Sequence, residues 1–199
     1  MSARNFHPIS VDIIQQEHEH LSAVIQGMLY FVRAIKMGGT PPDLKVFRAM
    51  LYYITEYPEK IHHPKEDQYL FAKIKERTHQ LDFELDALIE QHSRGEMLVH
   101  TLQDTLLEYE FAGAPAFDKF AEQVEQYVKF YYQHMRKEEE VILPVAKQVL
   151  HIADWQEVDQ AFMENRKRLD DSGERYRYEQ LFSLIVNISP APIGVADPL

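Results

Sequence analysis

The sequence predicts an all-α fold, an up-down-up-down four-helix bundle with one or two additional C-terminal helices. Three observations carry this. Apolar residues recur at alternating spacings of three and four along most of the chain, the period of one buried helix face. Glycine is scarce, 7 of 199 residues, and the period-two alternation of strands is scarce too. The periodic segments are joined by short stretches, which set consecutive helices antiparallel and side by side.

The first helix carries Val11, Ile14, Leu21, Ile25, Met28, Val32 and Ile35 on its stripe, with His18 in the one place an apolar residue would otherwise take. Gly38-Gly39 and Pro41-Pro42 end it and turn the chain. The second runs over about 43–77, with Phe47, Met50, Ile54, Tyr57 and Ile61 on its ridge. Pro58 and Pro64 predict a kink or break over 58–64, because proline removes a backbone donor and crowds the preceding turn. The third, about 80–111, carries Leu81, Leu85, Leu88, His92, Gly95, Val99, Leu102, Leu106 and Tyr109. The fourth starts near Pro115, a good first-turn proline, and carries Phe117, Phe120, Val124, Tyr127, Tyr131, His134, Glu138, Val141 and Val145, with Pro144 predicted to kink its end.

Beyond the bundle, 154–168 reads as a fifth helix with Trp155, Val158 and Phe162 on one face. A sixth over 174–188 carries Tyr178, Leu181, Phe182 and Ile185, too apolar to stay wet, so it is expected to cap the bundle or form a homodimer. The chain thus divides into a bundle (10–150), a helical extension (151–189) and a tail (190–199) whose three prolines predict disorder.

Composition narrows the function. The chain is long enough to bury a core without staples. Its 21 basic against 32 acidic residues leave a net charge of -11, which argues against binding to nucleic acid or to an anionic membrane, both of which need a basic face. There is no cysteine, hence no disulfide, thiolate metal site or cysteine nucleophile. The first ten residues lack the apolar core of a signal peptide, and no apolar run approaches the ~20 residues of a membrane span, so a cytoplasmic protein is expected. No phosphate loop, dinucleotide fingerprint or nucleophile triad is present.

What remains is a set of polar residues on stripes that should be greasy. His18, His92 and His134 sit inside apolar stripes, and His62 follows Ile61 on the second helix. Glu66 and Glu138 lie four residues after His62 and His134, one turn on and on the same face. The segment from His62 to Phe71 aligns with that from His134 to Leu143 at an offset of 72, so the bundle reads as two hairpins, each giving one histidine and then His-x-x-x-Glu. Six such groups buried without a cation would each cost several kcal/mol, roughly. Two half-sites facing each other would hold two metal ions, and nitrogen and oxygen donors without thiolate suit iron, manganese or zinc. His7, His20, His63, His79, His100 and His151 fall off the stripes and read as surface residues, although Pro64 could rotate His63 inward. Glu17, Asp67, Glu139 and Glu140 read as solvated acids, and Tyr127 and Tyr131 as core aromatics.

These motifs, Gln16-Glu17-His18, His62-His63-Pro64-Lys65-Glu66-Asp67, Glu90-Gln91-His92 with Gly95, and His134 through Val141, resemble the hemerythrin-like, or HHE cation-binding, domain over about residues 10–150. The resemblance implies a non-haem di-iron centre with His18, His62, His92 and His134 as terminal ligands and Glu66 and Glu138 as bridges. Oxygen-carrying members place a further histidine where this chain has Glu96, and a carboxylate at the position of Glu139, which makes Glu96 and Glu139 additional candidates; His63 is a third, should Pro64 rotate it inward. The implied function is binding of iron, with dioxygen, nitric oxide or peroxide as the small ligand, in sensing, iron handling or the stress response. The alternatives are a di-iron oxidoreductase and a reversible oxygen carrier.

Overall fold

The computed structural model describes residues 6–172 and 174–189, without the side chains of 165–178. Among the described residues all regular structure is helical: α1 (Ile9–Lys36), α2 (44–77), α3 (Asp82–Ala112), α4 (114–149), α5 (Ile152–Ser172) and α6 (Glu174–Ile188). The first four close a ring in which α1 packs on α2 and α4, and α3 packs on the same two. The turn between α3 and α4 is the single residue Gly113, whose φ of 66° and ψ of -147° suit only a residue without a Cβ. No helix among the described residues is long and apolar enough to cross a membrane.

The stripes of α1 and α3 are buried as expected, Ile35 alone being half-exposed at the end of α1. Those of α2 and α4 are not. After Ile54 the ridge leaves Tyr57 and Ile61 half-buried and buries Pro58 and His62 instead. In α4 Val141 is exposed and Val145 half-buried, while Ile142 and Ala146 are buried. Both changes advance the stripe by one residue, and both have the same cause. The helices stay helical where a break was expected, but they widen into π-helical stretches at Thr55–His62 and Glu66–Phe71 in α2 and at Glu138–Ile142 in α4. A π-turn accommodates one residue more than an α-turn, so every later side chain shifts round the axis.

Two apolar clusters fill the bundle. One, built on Val11, Ile14, Phe71, Ile74, Leu85, Leu88 and Ile142, also takes Trp155, Val158 and Phe162 from α5. The other, built on Leu21, Ile25, Phe47, Ile54, Val99, Phe120 and Tyr131, takes Ile185 from α6, with Leu181 and Phe182 against its edge. The extension thus packs onto its own bundle. Phe182 stacks on His20 at 4.9 Å, which leaves that histidine half-buried instead of on the open surface. The tail over 190–199 and the Tyr178 side chain lie outside the described residues.

Candidate metal centre

Between the two apolar clusters lies a polar layer. It is reached at Ile14–His18–Leu21 on α1, at Ile54–His62–Leu70 on α2, at Leu88–His92–Val99 on α3 and at Tyr131–His134–Ile142 on α4. His18, His62, Glu66, His92, His134 and Glu138 are all at most 6 % exposed and converge there.

Their donor atoms form two overlapping groups, His18–His62–Glu66 and Glu66–His92–His134–Glu138, with the ligand atoms in each within 4.8 Å of one another. Glu66 belongs to both; its Oε2 lies 3.4 Å from His62 Nε2 and 3.7 Å from His92 Nε2. Glu138 faces both halves with different oxygens, Oε1 at 3.2 Å from His134 Nε2 and Oε2 at 3.2 Å from His18 Nε2. Each carboxylate thus faces histidines of both groups.

The histidines share one orientation. Each Nδ1 is held from behind: His18 by Glu139 at 2.8 Å, His62 by Glu17 at 2.6 Å, His92 by Asp67 at 2.8 Å and His134 by Gln91 at 3.1 Å. The Nε2 atoms face the layer. Those of His18 and His62, with both oxygens of Glu66 and of Glu138, are buried without a hydrogen-bond partner. Buried polar atoms are rarely left so. A ring fixed through Nδ1 by a carboxylate, with Nε2 left free, is the arrangement of a metal-ligating imidazole and its orienting partner.

Sequence expectations for five residues need correcting. His63 is 3 % exposed and lies in the layer, grouped with His92 and His134, stacked on His92 at 4.3 Å and held at Nδ1 by Glu59 at 3.2 Å. The π-turn is the reason: its smaller angular step per residue lets both neighbours, His62 and His63, face inward. Glu96 is exposed, because the inward place on regular α3 falls to Gly95. A Cβ at Gly95 would stand 2.1 Å from the Tyr131 hydroxyl and 3.3 Å from Glu59 Oε1, so these two groups occupy the space beside His92. Glu139 is 40 % exposed and turns to the back of His18, and Glu17 and Asp67, expected in solvent, act as such backing groups too.

Glu59 carried no sequence signal beyond its place four residues before His63. Its carboxylate accepts from the Tyr131 hydroxyl, and burial pushes it up to about 7. Elsewhere burial and local charge compete. Burial opposes the charge on Glu17, yet the hydrogen bond and charge of His62 bring it down to about 2. Burial would lower His18 and His92, but the carboxylates hydrogen-bonded to them hold both up at about 10. His134 is pushed down to about 3 by burial. Burial and the facing Glu138 raise Glu66 to about 7, whereas the surrounding imidazoles hold Glu138 well below the usual range in spite of burial.

A family model, the hemerythrin HHE cation-binding domain, matches residues 9–146. Among curated proteins the chain is similar to uncharacterized proteins of Mycobacterium tuberculosis and Mycobacterium bovis, 24 % identical over 145 residues. The match covers 72 % of this chain and 54 % of each relative, so the chain spans about half their length. No solved structure matches it significantly.

Proposed function

Because the chain belongs to the hemerythrin HHE cation-binding family, we propose that its polar layer holds two iron ions and that the protein binds dioxygen or nitric oxide there, for sensing, iron handling or the response to oxidative or nitrosative stress. The observation that carries this is the division of labour within the layer. His18, His62, His92 and His134 are each tied at Nδ1 and turned with Nε2 toward Glu66 or Glu138, whose oxygens have no hydrogen-bond partner.

His18 and His62 would hold one ion, and His63, His92 and His134 the other, with Glu66 and Glu138 between them. Five imidazoles and two carboxylates, with no sulfur, suit iron, and manganese or zinc as substitutes. When bound, iron would supply a redox-active centre with affinity for small diatomic ligands. The surrounding chain supplies rigidity and exclusion of water, through apolar clusters above and below. With His63 present, the donor set does not depend on Glu96.

The test is elemental analysis of the purified chain with an absorption spectrum of the reduced protein before and after air or nitric oxide. Two irons per chain and a spectrum that responds to either gas are expected. A folded protein that takes up no ferrous ion ends the reading. Turnover of peroxide or nitric oxide would move it to the oxidoreductase alternative.

A further inference from the structure

The donor atoms of the layer are buried, so an ion has to cross the wall of the bundle to reach them. A groove of about 760 Å³ runs along the seam between α1 and α4, and His18 is part of its lining. That imidazole spans the wall. On the groove side its Nδ1 meets Glu139 at 2.8 Å, and on the inner side its Nε2 lies 3.2 Å from Glu138 Oε2, an atom with no hydrogen-bond partner. Carboxylate, imidazole and carboxylate therefore follow one another from the groove to the centre.

The charge of the groove fits a cation. Glu19, Glu139 and Glu140 line it, and the cation Arg136 is paired to Glu140 at 2.8 Å. The mouth is net negative, a field that gathers cations and repels anions. The groove between α2 and α3, of about 440 Å³ with Leu107 and Tyr52 on its walls, has no residue of the layer in its lining.

We propose that the α1–α4 groove is the passage by which a divalent cation reaches and leaves the centre, with Glu139 as its last docking carboxylate and His18 as the gate. This rests on the metal-binding reading above. A cation arriving at Glu139 competes for the oxygen that holds His18 Nδ1. The freed ring would turn aside to let the ion pass toward Glu138, and on closing would present Nε2 to it, with the ring proton released to solvent through the groove.

The experiment is stopped-flow uptake of Co²⁺ by the metal-free chain, with final loading measured separately. Ala23→Trp fills the exposed groove wall and replaces none of the residues of the layer. It should slow uptake about tenfold or more while final loading stays at the wild-type value, whereas Leu107→Trp in the α2–α3 groove leaves the rate unchanged. Glu19→Lys, a milder surface change, should slow uptake several-fold and flatten its dependence on salt. Wild-type rates in both groove variants overturn the passage. A wild-type chain that takes up no cobalt overturns the metal reading, and the passage with it.

Discussion

At the scale of single residues, the polar layer is set by what stands behind each histidine. Glu17 fixes His62 at 2.6 Å and is itself held by the Tyr57 hydroxyl at 2.6 Å. Glu17→Gln keeps the shape and removes the charge, and should weaken metal binding about 10–100-fold in a chelator competition. His63→Ala should lower metal content, while His79→Ala, whose side chain is 89 % exposed, should not. Gly95→Ala drives a methyl into the Tyr131 hydroxyl, and overpacking of this kind costs about 1–3 kcal/mol. Tyr131→Phe removes the oxygen in conflict, so the double variant should lose less stability in denaturant melts than the sum of the two single changes.

At the scale of elements, α5 is fastened to two helix ends by its own acids. Asp159 Oδ1 accepts from the backbone N–H and the hydroxyl of Ser10, satisfying the first turn of α1, which has no side-chain cap of its own. Asp154 takes Arg77, the last residue of α2, in a two-pronged pair at 2.6 and 2.8 Å, and reaches back to the His151 N–H that starts α5. The Arg77 hydrogen bond holds its carboxyl below the usual range against the opposing pull of burial. A depressed carboxylate contributes stability in full above its unfolded value, 3.8, and loses it as pH falls through the lower folded value. Asp154→Asn should therefore lower the melting temperature at pH 7, and the gap to wild type should close under stronger acid. A gap that persists unchanged at pH 2 contradicts the ion-pair account.

At the scale of the whole molecule, a cation in the layer ties four helices together and pairs the unpartnered carboxylate oxygens. Metal at about a hundredfold over its dissociation constant adds about 2.7 kcal/mol. For a chain of this size that is a rise of roughly 5–10 °C in melting temperature, which a chelator should reverse. The pH dependence has a definite sign. In the metal-free protein His18 and His92, held up at about 10, carry protons at neutral pH. Their ion pairs stabilise that form fully below 6.5, and the contribution is lost as pH rises toward 10. A cation has to displace these protons, so affinity should rise with pH and uptake should acidify a weakly buffered solution. Uptake without proton release would contradict the charged state assigned to the two rings.

The sequence by itself determined the helical bundle, the extension and the six polar residues that meet in the core, because a period of three and four and a repeated His-x-x-x-Glu are local properties of the chain. In the regular helices α1 and α3 the apolar stripe could be read in place, down to Gly95. In α2 and α4 the reading slipped by one place after Ile54 and after Glu138, since a π-turn inserts a residue into the turn without changing the letters that a period is counted from. Only the tertiary structure decided that His63 enters the polar layer while Glu96 stays exposed, because that choice depends on rotation about a helix axis set by packing. The tertiary structure also turned Glu17, Asp67 and Glu139 from solvated acids into the groups that aim the imidazoles. Each reaches a histidine on another helix, and no spacing along a single chain records that contact.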